Sequence, residues 1–363
     1  MTDDYRSPLL DHVPGAEPLP DDPWGRSGVA WHCGDPLTEQ RAFASAGLVD
    51  RSHRRVIRVA GPDRLVYLNT LFSQKLDDAH PGDATEALDL DPQGRVLHHM
   101  AVTVRDDEVL LDVAPQQEAT LLRFLTMMIF RSDVAVEPAD LALLSVVGPD
   151  AAAPIARAAS DLDPAAVLRR VGWPGPGRVD VLVPREALTA AWDALAAAGA
   201  APAGLMAWEA ERVAALQPEP GIDLDGKAIP HEVPRWIGDP AVPGSGAVHL
   251  HKGCYRGQET VARVDNLGRP PRTLVLLHFD GSAAALPEPG DPVTAGRRTV
   301  GRVGTVVHHH ELGPIALALV KRSAQEGQEL ACGDCAVAVD PDSVDRDDAV
   351  KPGRAAVDRL RGR

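Results

Sequence analysis

Between His251 and Glu259 the chain reads His-Lys-Gly-Cys-Tyr-Arg-Gly-Gln-Glu, which crowds an ammonium, a thiol, a phenol, a guanidinium, an amide and a carboxylate around two glycines. Lys252 and Arg256 lie two residues to either side of Cys254. Cations beside a thiol favour the thiolate, the form that attacks electrophiles and binds metal. Gly253 and Gly257 lack a Cβ, so the backbone can turn sharply or approach a ligand closely at both points. Tyr255, Gln258 and Glu259 complete the loop, the last two as groups able to fix it by hydrogen bonds. Residue types alone leave Cys254 open between a reactive thiol and an inert, small apolar side chain.

Further groups invite chemistry. His98 and His99 are adjacent, and in a strand they face opposite sides of a sheet, so at most one points into any site. Trp208 and Arg212 fall in one helical stretch, where Trp208 is open between stacking on a flat ligand and packing in the core. Cys332-Gly-Asp-Cys335 has CxxC spacing, but no second pair exists to complete a four-thiolate zinc site. Gly333-Asp334 suits a two-residue hairpin turn that sets the thiols opposite each other. His308-His309-His310 beside Glu311 reads as a strand end with adventitious affinity for metal at most. No metal site is assigned. Neither a phosphate-binding Walker loop nor a dinucleotide glycine motif is present.

The elements that must position these groups divide into two textures. Arg54–Ala60 reads as a strand, Leu65 to Leu76 as a helix, and two strands joined at Pro92-Gln93-Gly94 as a hairpin. Glu108–Val113 is a further strand, and Pro115 to Phe130 a helix with Leu121 and Leu125 on its apolar side. Strands at Leu141–Val147 and Arg178–Val183 alternate with helices over 150–159, 185–198 and 203–216, which argues for α+β layers. From Arg272 short strands with Gly-Pro punctuation predict a small closed β domain. The division expected is an extended arm over 1–40 and an α+β region over 41–245, in two parts near 41–140 and 141–245. A loop over 246–270, a barrel over 271–340 and a charged tail over 341–363 follow.

The balance of 37 basic against 52 acidic residues, a formal net charge of -15, argues against a sequence-independent grip on nucleic acid or anionic membrane. The opening hexapeptide lacks the basic-then-apolar order of a secretory signal. Four cysteines suit a reducing compartment. The expectation is a cytoplasmic protein that contacts neither membrane nor nucleic acid directly.

Lys252-Gly-Cys-Tyr-Arg-Gly-Gln-Glu259 resembles the K-G-C-[aromatic]-x-G-Q-E signature of the YgfZ proteins. These are folate-binding relatives of the glycine-cleavage T-protein (aminomethyltransferase) and include iron–sulfur assembly factors. Weaker similarity runs from about His53 to Arg322. The resemblance implies a monomer of three domains in a ring, two α+β and one β-barrel, around a cavity for tetrahydrofolate. It implies Cys254, supported by Lys252, as the working thiol, and Trp208, Arg212 and Glu232 as folate-binding residues. Where the T-protein pattern carries its essential aspartate this chain has His98 and His99, and where it carries a glutamate this chain has Ala214. The first departure counts against aminomethyl transfer, and the second removes a carboxylate that would meet a folate. The function implied is a folate-binding accessory protein for iron–sulfur enzymes, acting indirectly on tRNA modification, with a tetrahydrofolate-dependent one-carbon transferase as the alternative.

Overall fold

A computed structural model of the chain describes residues 5–20, 22–170, 172–239, 241–242, 244–281 and 285–344. The first residues of the opening hexapeptide and all but the start of the 341–363 tail lie outside the described residues.

The N-terminal segment is packed rather than loose. A single helical turn, Leu9–His12, inserts Leu9 and Val13 into a core, and Ser7 hydrogen-bonds the buried Asp50. A short ribbon pairs Glu17–Pro18 with Ala30–His32. The apolar anchors are spaced too irregularly to show as a strand or helix pattern.

Two five-stranded sheets and a barrel follow. Strand β1 (Gly47–Asp50) leads into β2 (Arg55–Ala60), helix α1 (Arg64–Leu71), β3 (Ala84–Leu90), β4 (Val96–Val104) and β5 (Glu108–Val113). Helix α2 (Pro115–Met127) starts with proline at its first position, where the missing N–H costs nothing. It buries Leu121 and Leu125. Then come β6 (Ala135–Ala139), β7 (Leu141–Val147), α3 (Ala152–Ala158), β8 (Val167–Arg170), β9 (Arg178–Pro184), α4 (Leu188–Ala197), β10 (Ala201–Ala203) and α5 (Leu205–Ala214). The sheet orders are β8-β9-β7-β1-β10 and β3-β4-β5-β2-β6. The unit over 55–139 is therefore inserted after β1, which pairs forward with β7.

After a long connection, α6 (Gln258–Leu267) occupies part of the stretch expected as loop. The barrel comprises β11 (Arg272–Phe279), β12 (Pro292–Ala295), β13 (Arg298–His309), β14 (Gly313–Lys321), β15 (Leu330–Cys332) and β16 (Cys335–Val339), closed in the order β11-β14-β13-β12-β15-β16. Cys332 and Cys335 face each other across the predicted turn. Both are free and pack inside the barrel core, where burial pushes the Cys332 thiol up to about 11.

Each unit has its own core, and a fourth cluster joins them: Leu88 and Leu90 of β3, Val213 of α5, Trp236, Leu274 of β11 and Leu317 of β14. Trp236 is fully buried there. Among the described residues no helix is long and apolar enough to cross a membrane.

Candidate functional site

The signature loop is held against the 55–139 unit from both sides of Cys254. Lys252 reaches the C-terminal end of α1, where its Nζ donates to the carbonyls of Asn69, Phe72 and Gln74, the last at 2.9 Å. A lysine there satisfies carbonyls left over by the helix and meets the negative end of its dipole. Burial pushes the amine down to about 7, while three carbonyl acceptors favour the ammonium. Its N–H donors are thus committed to the backbone. The ammonium is thereby tied to the backbone of the 55–139 unit.

Arg256 is the second anchor. Its Nη2 donates to Oδ1 of Asp89 at 2.6 Å, and its guanidinium lies 4.2 Å from the Phe124 ring centroid. Asp89 is fully buried, and its Oδ2 lies 2.8 Å from Nδ1 of His98. Gly257 then turns the chain with φ of 82°. A Cβ there would come within 2.7 Å of the Asp91 carbonyl oxygen, so glycine is required twice over. Gln258 accepts from the Tyr255 N–H at 3.2 Å, and burial raises the Tyr255 phenol to about 12. Glu259 is exposed in the first turn of α6, where a carboxylate complements the helix dipole. Gly253 is exposed, with open space where a side chain would stand. Between these fixed points Cys254 is exposed.

A separate cavity lies where the three units meet. Two adjoining recesses, of about 490 and 340 Å³, share Pro174 and Arg235. Thr85 and Glu86 of β3 and the Gly172–Pro174 loop line the first. Ala214–Leu216 after α5, Leu274 of the barrel and Asp342–Val344 line the second. Both volumes fall within the range of small-molecule sites. Glu86 is bound by Arg235 at 3.0 Å and by Gln217 at 3.3 Å. Burial opposes its charge, but Arg235 and His99 outweigh that and hold the carboxyl well below its ordinary range. His99 lies with Nε2 3.6 Å from Glu86 and its ring 5.0 Å from that of Trp236. Among the described residues, His99 Nε2, Gln217 Oε1 and Trp236 Nε1 have no hydrogen-bond partner.

Of the residues that the resemblance assigns to folate, Trp208 and Arg212 line a smaller recess of about 30 Å³ together with Arg51, His53 and Glu209, and Glu232 stands apart from it. Trp208 is 4% exposed, stacked on Trp173 at 5.0 Å with Arg51 4.1 Å from its ring centroid. Its ring packs against Trp173, which lines the larger of the two recesses between the units. Arg212 spends its donors on Glu209, Asp223, Thr305 and the Gln217 carbonyl. Glu232 pairs with Arg272 and caps the Ile229 N–H, tying the connection to the barrel. Glu86, Arg235 and Trp173, which line the larger recess, were not singled out in the sequence. Only the tryptophan in a Pro-Gly-rich loop, Trp173-Pro-Gly-Pro-Gly177, offered a signal, since a large aromatic there seldom stands free.

Glu211, His309 and His310 bring one ligand-type atom each within 4.8 Å of one another. Nδ1 of His309, however, accepts the N–H groups of Glu311 and Leu312 at 3.1 and 3.2 Å. The ring proton of the neutral imidazole therefore sits on Nε2, facing Glu211 at 3.7 Å. A ligating histidine has the opposite arrangement, donating from its second nitrogen. The cluster joins α5 to the barrel.

Comparison with known proteins accounts for nearly the whole body. Residues 38–234 match the GCVT N-terminal domain, and residues 272–345 match the C-terminal β-barrel domain of CAF17. The chain belongs to the GCVT family, in its CAF17/YgfZ-like branch. Among relatives of this YgfZ-like chain, a chloroplastic Arabidopsis thaliana protein bearing a transferase name is 26% identical over 297 residues, 76% of this chain and 66% of that protein. An aminomethyltransferase of Xanthomonas oryzae is 28% identical over 227 residues, 55% of this chain and 61% of its own length. The chain thus spans a little under two thirds of the curated relatives it matches. The glycine cleavage system aminomethyltransferase T of Bartonella henselae superposes with a TM-score of 0.77 at 19% identity, over 91% of this chain and 94% of that one. The YgfZ-like chain therefore has the three-domain aminomethyltransferase fold, with the barrel as its third domain.

Proposed function

We propose that this protein binds a tetrahydrofolate-type cofactor in the cavity between its three units and serves iron–sulfur enzymes through Cys254. The observation that carries the reading is an exposed thiol fixed between two anchored cations in a family signature. A cysteine kept only for packing would be buried. In support of folate, the cavity joins a flat aromatic surface at Trp173 to a carboxylate, Glu86, and a guanidinium, Arg235. A pterin offers a ring to stack and N–H groups for a carboxylate to accept, so these three residues would hold it. The bound cofactor would supply one-carbon chemistry. The chain's own part is to orient the ring, shield it, and hold charge at Glu86 and Arg235.

His99, beside Glu86, occupies the region where the T-protein pattern has its aspartate. That pairing favours a second reading, one-carbon transfer with an imidazole as proton carrier. Titrating the purified protein with tetrahydrofolate and following tryptophan fluorescence tests the cofactor. Binding that is weakened by Glu86→Gln and Arg235→Ala but not by Arg212→Lys places it in this cavity. No saturable binding overturns that part. The accessory role covers aconitase-type enzymes and the cluster enzymes that thiolate tRNA as clients, reached by protein contact rather than by RNA binding.

A further inference from the structure

One side-chain constellation lies behind the loop's Arg256 anchor and outside the cavity. Asp89 has no solvent exposure, and its Oδ2 lies 2.8 Å from Nδ1 of His98. The other ring nitrogen, Nε2, lies 2.8 Å from Oγ1 of Thr120. Thr120 is exposed on α2, whereas His98 is 6% exposed. Arg256 holds the remaining oxygen of Asp89.

The tautomer follows from the donors. A carboxylate bound to a guanidinium only accepts, so Nδ1 of the neutral ring carries the proton. Nε2 is then the acceptor, and the Thr120 hydroxyl turns to it rather than to the Gln117 carbonyl, which is farther away at 3.1 Å. A hydroxyl on a base that is itself oriented by a buried acid is the arrangement of acyl-transfer nucleophiles, recognised by geometry and roles rather than by fold.

We propose that Thr120 is an activated hydroxyl that accepts acyl groups from activated esters, with His98 as general base and Asp89 as the residue that positions His98. Oγ1 attacks the ester carbonyl carbon while its proton passes to Nε2 of His98. Collapse expels the alcohol or phenol, which takes up that proton, and Thr120 is left as an ester. No oxidant or further reactant is needed. The exposure of Thr120 makes it open to donors too bulky for a cleft.

Thr126 supplies an internal control. It is exposed on the same helix, and its hydroxyl bonds the Leu122 carbonyl at 2.8 Å, with no imidazole. The full-length protein would be treated with p-nitrophenyl acetate at pH 8 and the adducts mapped by peptide mass spectrometry, which separates Thr120 from the Cys254 thiol. Thr120 is expected to acylate on the order of a hundred times faster than Thr126, the usual worth of a positioned base. His98→Gln brings the two to parity. Thr120→Ser keeps the adduct and Thr120→Val removes it, both at an exposed position where folding is undisturbed. Equal labelling of Thr120 and Thr126 in the wild type overturns the proposal, as does a Thr120 rate unchanged in a folded His98→Gln protein.

Discussion

Arg256 and Asp89 form the joint on which the signature loop turns: the guanidinium reaches a fully buried carboxylate at 2.6 Å, 167 residues away along the chain. With Lys252 bound to three carbonyls at the C-terminal end of α1 and just past it, it brackets Cys254 symmetrically. Both cations that flank the thiol in the sequence are hydrogen-bonded to the 55–139 unit.

Removing the joint leaves Asp89 buried with one partner fewer. Breaking a buried pair costs 3–5 kcal/mol, and partial exposure of Arg256 brings the expected loss for Arg256→Ala to about 2 kcal/mol. Urea unfolding measures it. A loss below about 0.5 kcal/mol, the range of ordinary surface changes, contradicts the anchor.

The two loop glycines separate cleanly. Gly257→Ala forces a Cβ toward the Asp91 carbonyl in a left-handed backbone and should cost more than about 1 kcal/mol. Gly253→Ala, with open space at its Cβ, should be neutral to within about 0.5 kcal/mol. Thermal melts of the two proteins decide the matter, and equal losses would mean the loop is built differently.

Acid should unfold the protein through carboxylates that are paired inside it. Burial alone would raise Glu209, but Arg212 and Arg26 outweigh it and hold the carboxyl at about 2, against an ordinary 4.5. A depressed folded value contributes stability that is complete above about 4.5 and lost as pH falls toward 2. Asp112, lowered chiefly by Arg54 and Arg169 against its burial, adds to the same slope. Denaturant midpoints between pH 6 and 3 should fall steeply in the wild type and less steeply in Glu209→Gln. Parallel slopes would remove Glu209 from the account.

Much of this arrangement is legible before folding. The β3–β4 hairpin, the strand Glu108–Val113 and helix α2 follow from period and turn chemistry, because each is long and bounded by proline or glycine. Strands β1, β8 and β10 are three or four residues long and carry too little pattern to stand out. The signature around Cys254 stands out in the sequence, and its exposure does not. Trp208, Arg212 and Glu232 came from the resemblance, and what each touches, Trp173 and Arg51, Glu209 and Asp223, or Arg272, is set by tertiary packing that residue type does not show. Glu86 and Arg235 are 149 residues apart, and only tertiary structure makes them a pair.

Trp173 makes a further prediction. Lining the cavity and backed by Trp208, it should dominate any fluorescence change on cofactor binding. Trp173→Leu should abolish the quench and weaken binding roughly tenfold, the worth of one stacked ring. Trp208→Phe should instead lower stability by about 1–3 kcal/mol with binding retained. The reverse pattern would restore Trp208 as the contact residue.

The most direct test of the central claim is rescue of cells lacking this protein, with aconitase activity and tRNA methylthiolation as readouts. Wild-type protein should restore both, and Cys254→Ala, whose exposed position predicts a stability change within about 0.5 kcal/mol, should restore neither. Full rescue by Cys254→Ala, or normal values without the protein, would contradict the account.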